Sequence, residues 1–235
     1  MKVIGLIGGM SWESTIPYYR IINETVKERL GGLHSAKIIL YSVDFYEIEQ
    51  LQRAGDWAIA EEILGEAACA LRSAGADFIV ICTNTMHIVA DTVQKQAGIP
   101  LLHIVDSCAQ KIKRQGLKRV GLLGTSFTME QEFYRGRMLT HHGIETVIPD
   151  ASDRKVVHNV IFMELCLGII NEASRLQYRR IIKQLIKKGA EGIVLGCTEL
   201  PMLIAAHDAP VPLFDTARIH AREAAEWAVS GVPAS

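Results

Sequence analysis

The sequence predicts an α/β protein of two pseudo-symmetric α/β domains, each a mainly parallel sheet flanked by helices. Three observations carry that expectation. Short apolar, β-branched runs alternate with longer segments of helical periodicity, the pattern of β-α-β units. The same run of strands and glycines recurs in the second half of the chain. Two polar triplets, TNT at 83–85 and CTE at 197–199, each follow a strand that reads as buried.

The elements follow in order. KVIGLIG is a short apolar strand. SWESTIPYYRIINETVKERLGG places Ile22, Val26 and Leu30 on one helical face. Ser11 or Ser14 suits its N-cap, Pro17 belongs in a first turn, and Gly31 and Gly32 end it. AKIILYSVD is the second strand, and DWAIAEEILGEAACALRSAGA is a helix stopped by Gly75. DFIVIC is a strand, TMHIVADTVQKQAG a helix, IPLLHIVD a strand and SCAQKIKRQG a helix. No low-complexity run or Pro/Ser-rich linker interrupts the series.

The order then repeats. LKRVGLLGTSFTMEQEFYRGRML echoes MKVIGLIGGMSWESTIPYYRII, GAEGIVLGCTE echoes GADFIVICTNT, and VPLFDTA echoes IPLLHIVD. Gly5 and Gly8 align with Gly121 and Gly124. The offsets are nearly constant: 116 from Gly5 to Gly121, 114 from Thr83 to Cys197 and 112 from Pro100 to Pro212. Strand composition alone is generic, but matched spacing points to an internal duplication. The expected halves are residues 1–98 plus 213–235, and residues 99–212.

Bulk properties narrow the function. The 235 residues are 49% hydrophobic and 22% charged, an ordinary globular balance. A net charge of −1 gives no cause to expect a nucleic-acid or anionic-membrane surface. Five cysteines, an odd number without a C-x-x-C pair, read as reduced thiols of a cytoplasmic protein. The opening run is too short and too broken by glycine for a signal peptide or membrane span.

The chemistry gathers at the two triplets. Thr83 is the counterpart of Cys197, Asn84 of Thr198 and Thr85 of Glu199. Open α/β sheets bind ligands at the carboxyl ends of their strands. A helix N-terminus there favours a carboxylate ligand and a thiolate, which predicts a lowered Cys197 pKa. Pro201 suits the first turn of the following helix. If the halves face each other, Thr83 and Cys197 reach one cleft from opposite sides. That is the geometry of a racemase, in which one group removes the α-proton and the other protonates the far face. Cys69, Cys108 and Cys166 fall on helical segments and read as small hydrophobes. Cys82 ends its strand facing away from Thr83 and reads as core. His87 reads as a satisfied helix residue, with a supporting role near the site as the sharper alternative.

GLIGGMSWEST, CTNTMH, GLLGT, FYRGR and GCTEL together resemble the aspartate/glutamate racemase family, the cofactor-independent amino-acid racemases. The resemblance runs from about Met1 to Ala225 and is nearest the bacterial broad-specificity or L-aspartate/glutamate-specific branch. It implies two similar α/β domains with the active site between them and the last helix packed on the first domain. It also implies a homodimer, a small amino-acid substrate and no cofactor. The family's usual catalytic pair is two cysteines. Here Cys197 is present, Thr83 stands in place of the other, and Cys82 is not its equivalent. A threonine hydroxyl is a far weaker acid than a thiol. The resemblance therefore implies that Cys197 takes the α-proton of the L-isomer, Thr83 reprotonates, and L-to-D is the faster direction. Substrate contacts carried over by motif are Met10, Asn84, Thr85, Thr125, Thr128, Thr198 and Glu199. Gln52 and Arg53 sit where family members contact a side-chain carboxylate. Arg53 suits a bidentate clamp or, equally, a solvated loop. Thr128 with Gln131 also matches a capping box. Some aspartate racemases carry a lysine where Cys166 and Leu167 stand, which argues against strict aspartate specificity.

Other functions fit less of the sequence. Hydantoin racemases, maleate isomerases and arylmalonate decarboxylases share the two-domain plan. GLIGG is not the G-x-G-x-x-G of a dinucleotide site. An impaired amino-acid or dicarboxylate binder would tolerate loss of Cys197, yet GCTE is intact.

Overall fold

Strand β1 (Ile4–Gly8) is buried at every position, as a parallel strand covered on both faces must be. It pairs in parallel with β2 (Ile38–Ser42) and with β3 (Phe78–Ile81), and β4 (Leu101–Leu102) borders β3. In the second sheet β5 (Arg119–Gly124) lies between β6 (Glu145–Val147) and β7 (Ile193–Gly196), with β8 (Leu213–Asp215) beyond β7, again all parallel. The orders β2-β1-β3-β4 and β6-β5-β7-β8 are the same pattern used twice. The computed structural model describes residues 1–232.

The repeat has a physical basis in its glycines. Gly5 pairs in register with Ile79, and Gly121 with Ile193. A Cβ on Gly5 would lie 2.9 Å from Ala76 Cβ, and one on Gly121 would lie 2.7 Å from Ile193 Cδ1. Both central strands need a bare backbone at the same place.

The helices of the first half are α1 (Trp12–Leu30), α2 (Phe45–Ala54), α3 (Trp57–Ser73) and α4 (Ala90–Ala97). Pro17 lies inside α1, past the first turn expected for it, and its missing N–H deletes one ladder bond. Ser11 is the N-cap residue, but its side chain makes no cap bond. Helix α2 was not expected from the sequence. Asp44 starts it by accepting the Tyr46 N–H at 3.0 Å, and Gly55, at φ +72°, ends it. The expected helix TMHIVADTVQKQAG begins as a 3₁₀ turn over Thr85–Val89 before α4. Of IPLLHIVD only Leu101–Leu102 is strand, since α5 (Ile104–Lys113) starts two residues later.

The remaining helices are α6 (Ser126–Glu130), α7 (Glu132–His142), α8 (Ala151–Met163), α9 (Glu172–Lys187), α10 (Leu200–Leu203) and α11 (Thr216–Val229). Arg137 on α7 donates from Nε and Nη2 to the two oxygens of Asp106 on α5, at 2.8 and 2.7 Å.

The chain divides into Met1–Ile104 with the segment from His220 on, and Val105–Ile219. These limits differ from the sequence boundaries because the hydrogen-bond ladders assign β4 to β3 and β8 to β7. The crossings fall inside α5 and α11 instead of before β4 and before β8. Within the first unit the end of α11 is fastened by the Lys2 N–H to the Ala228 carbonyl at 2.8 Å. The Phe78 and Trp227 rings pack there with centroids 5.4 Å apart. Among the described residues no helix is long and apolar enough to cross a membrane.

Candidate active site

In the first unit the ladder continues one residue past β3, where the Cys82 N–H reaches the Ile7 carbonyl at 2.9 Å. Cys82 is fully buried, and burial pushes its thiol pKa far up. Thr83, next along, is half-buried. Its carbonyl accepts from His87 Nδ1 at 2.8 Å, while His87 Nε2 accepts the Ile104 N–H at 3.2 Å. One ring nitrogen donates and the other accepts, which is a neutral imidazole in its Nδ1–H form. Asn84 and Thr85 are buried beside it. Met10 and Met86 share one buried cluster, and Gln52 Nε2 donates to Met86 Sδ at 3.1 Å. Gln52 is thus fastened to the residue that follows Thr85. Arg53 is exposed and pairs with Glu49 one turn back on α2.

In the second unit Cys197 follows β7 and is 9% exposed. Its Sγ donates to Glu199 Oε2 at 2.9 Å, and Thr198 Oγ1 donates to the same oxygen at 2.6 Å. The thiol pKa is held well above its ordinary value. Burial is the largest cause, followed by the Glu199 charge and the hydrogen bond to its carboxylate, with Cys166 a smaller contributor. This corrects the expectation of a lowered pKa. The helix that follows, α10, spans only Leu200–Leu203, so it has little macrodipole to set against an adjacent carboxylate. Pro201 does sit in its first turn.

The mirrored loop after β5 adds Thr125 and Thr128. Thr125 is the N-cap of α6 and accepts the Thr128 N–H at 3.4 Å, and the two hydroxyl oxygens lie 3.3 Å apart. The cap is therefore Thr125, one turn before the Thr128–Gln131 box suggested by sequence. Gln131 instead starts α7 without a side-chain bond. A Cβ on Gly196 would lie 3.2 Å from Thr128 Cγ2, so Thr128 packs on the residue preceding Cys197.

Two neighbours escaped the sequence reading, and a third, Cys166, entered it with no role beside Cys197. Tyr178 is buried and donates to the Val157 carbonyl at 2.9 Å, and burial with the Cys197 and Glu164 charges pushes its phenol up. His158 Nδ1 accepts the Ser126 N–H at 3.2 Å at the start of α6. Cys166 lies within electrostatic reach of Cys197.

Two polar strand ends of matched position, one carrying a hydroxyl and one a thiol, can move protons. The sequence profile of the Asp/Glu/hydantoin racemase family matches residues 7–224. The chain belongs to this family. It is similar to the structure of a candidate Asp/Glu racemase from Yersinia pestis, 61% identical, covering 97% of this chain and 100% of that one, with a TM-score of 0.93. It is also similar to an aspartate racemase homologue from Pyrococcus horikoshii OT3, 38% identical over 97% and 99% of the two chains, TM-score 0.84. A broad-specificity amino-acid racemase from Bacillus subtilis is 24% identical over 91% of this chain and 92% of its own.

Proposed function

We propose that this family member is a cofactor-independent racemase of acidic amino acids, aspartate or glutamate, in which Cys197 and Thr83 act on opposite faces of one substrate. The observation that carries the proposal is the placement of these two groups at corresponding strand ends of a duplicated fold. Family membership and the named activities of similar proteins support the substrate class. A homodimer, implied by the resemblance alone, is part of the same proposal.

In the L-to-D direction the Cys197 thiolate takes the α-proton and becomes a thiol. The resulting carbanion takes the Thr83 hydroxyl proton and becomes the D-isomer. The Thr83 alkoxide then recovers a proton from solvent. At rest Cys197 is protonated and hydrogen-bonded to Glu199, so it first releases that proton to solvent, which balances the proton that Thr83 later takes back. A substrate α-ammonium beside Glu199 offsets the carboxylate charge that holds the thiol proton. Starting from the Thr83 side requires an alkoxide before any C–H bond breaks, so L-to-D is the faster direction. Met10, Gln52, Asn84, Thr85, Thr125, Thr128, Thr198 and Glu199 supply the polar and apolar lining that orients the substrate.

One observation favours a second reading. A thiol held protonated suits proton delivery to a planar intermediate formed by other means, as in a decarboxylase, maleate isomerase or hydantoin racemase type of reaction. Solvent-deuterium incorporation at Cα, followed by proton NMR, separates the two. L- and D-glutamate and L- and D-aspartate are incubated without cofactor. Exchange with inversion, faster from the L-isomers, is expected. Inertness of all four points to the second reading.

A further inference from the structure

We infer that His87 is the positioning residue for Thr83: its neutral imidazole fixes the main chain that carries the hydroxyl, without touching substrate. The inference rests on the proposed role of Thr83 as proton donor. Past Ile81 the sheet offers little to hold this segment. Strand β4 ends opposite Val80, and the last ladder bond is the Cys82 N–H to Ile7. The Thr83 carbonyl takes its bond from a side chain one turn ahead, at 2.8 Å from His87 Nδ1.

The other side of the same ring is fixed as well. Nε2 accepts the N–H of Ile104, the first residue of α5 and one of the helix donors with no partner in its own ladder. The imidazole is 2% exposed and bridges a strand end to a helix start. Its centroid lies 4.7 Å from that of His103 and 5.5 Å from that of His220. His220 is itself anchored, donating from Nε2 to the Leu102 carbonyl at 2.8 Å and facing the Tyr18 hydroxyl from Nδ1 at 2.9 Å. Neither ring can turn without breaking two bonds, so the position of Thr83 is set by packed imidazoles, that of His87 neutral.

Two substitutions divide the ring's two bonds. In His87→Asn the amide nitrogen falls near Nδ1 and keeps the donor to Thr83. In His87→Gln the amide oxygen falls near Nε2 and keeps the acceptor for Ile104 but releases Thr83. The expected result is a kcat loss on the order of 10²-fold in His87→Gln, with KM within about twofold, because misplacement of a reacting group by about 1 Å has that effect. His87→Asn is expected to retain kcat within about tenfold of wild type. In a Thr83→Ala background His87→Gln should add nothing beyond about twofold. Equal kcat losses in the Asn and Gln variants, or additive losses with Thr83→Ala, overturn the inference.

A measurement on the native chain guards against variants that fail to fold. The imidazole ¹⁵N shifts of His87 should report a protonated Nδ1 and an unprotonated Nε2, and the opposite tautomer also overturns it. If wild type leaves all four acidic amino acids unchanged, the functional proposal fails first and this one with it. Failure of His87 alone is distinct, because wild type then turns over normally.

Discussion

The strand end at Thr83 and the strand end at Cys197 occupy the same place in the same topology but are held by opposite means. Thr83 is held through its main chain, by a neutral, buried imidazole that leaves the hydroxyl out of the tether. Cys197 is held through its side chain, by a carboxylate that accepts a hydrogen bond from the sulfur itself. On the proposed mechanism, the duplicated scaffold sets where chemistry takes place, while a few neighbouring residues set which proton moves easily. A symmetric fold does not imply a symmetric reaction: one side carries a fixed, weakly acidic hydroxyl, the other a thiol whose proton depends on a nearby charge.

The largest expected effect tests whether both sides take part. Cys197→Ala should lower kcat by more than about 10³-fold while the circular dichroism spectrum stays native, since a general acid–base group contributes roughly 10²–10⁴-fold. Thr83→Ala should fall by about 10²-fold or more. Cys82→Ala, which empties space in a fully buried position, should cost about 1–2 kcal/mol of stability yet keep kcat within about tenfold. Steady-state kinetics in both directions, with thermal melts, checks all three. Equal kcat losses at residues 82 and 83 would shift the register of the site by one and dissolve the comparison of strand ends.

Glu199→Gln sharpens the comparison on the thiol side. Removing the carboxylate charge withdraws the second cause of the raised Cys197 pKa while leaving burial, the first, in place. The pKa should fall but remain above the ordinary thiol value. The thiolate fraction at any fixed pH below it rises about tenfold for each unit of that fall. Alkylation of Cys197 by iodoacetamide at pH 8.5, read by mass spectrometry, should be several-fold faster than in wild type and should climb with pH in both proteins. An unchanged rate would mean that burial alone governs the thiol, and that Glu199 is no more than a substrate contact.

Some of this was legible in the sequence and some was not. Strands β1, β3, β5 and β7 are almost wholly apolar runs, and β1 and β5 repeat their glycines at one offset, a signal that short-range pattern and spacing both carry. Helix α2 was missed because it buries only Ile48 and Gln52, too few apolar positions to show a helical face. IPLLHIVD was read too long as a strand because a short apolar run does not distinguish a strand from the start of a helix. Here Ile104 and Val105 belong to the helix. At the site, the position of Cys197 was readable but the direction of its pKa was not. The direction depends first on how deeply the fold buries the sulfur and then on Glu199 folding back within 2.9 Å of it, both matters of side-chain placement. The His87 to Thr83 spacing is visible in the sequence. The partner on the other nitrogen, Ile104, lies 17 residues further along the chain and comes into reach only through the fold.

The smallest expected effect asks how equal the two halves are below the level of chemistry. Gly5 and Gly121 are counterparts, and a methyl group is too large at either. At Gly5 the nearest atom is Ala76 Cβ at 2.9 Å, with the Phe78 carbonyl oxygen at 3.2 Å. An alanine Cβ and a strand carbonyl move only with the backbone. At Gly121 the nearest atoms are Ile193 Cδ1 at 2.7 Å and Leu185 Cδ1 at 3.0 Å, ends of side chains that can rotate away, although Leu185 Cβ at 3.2 Å limits the room. Gly5→Ala should therefore cost about 3 kcal/mol and Gly121→Ala about 1–2 kcal/mol, within the usual range for overpacking a core. Urea unfolding of the two variants measures the difference directly. If Gly121→Ala proves the costlier, the second sheet is the more rigid of the two, and the likeness of the halves stops at strand order.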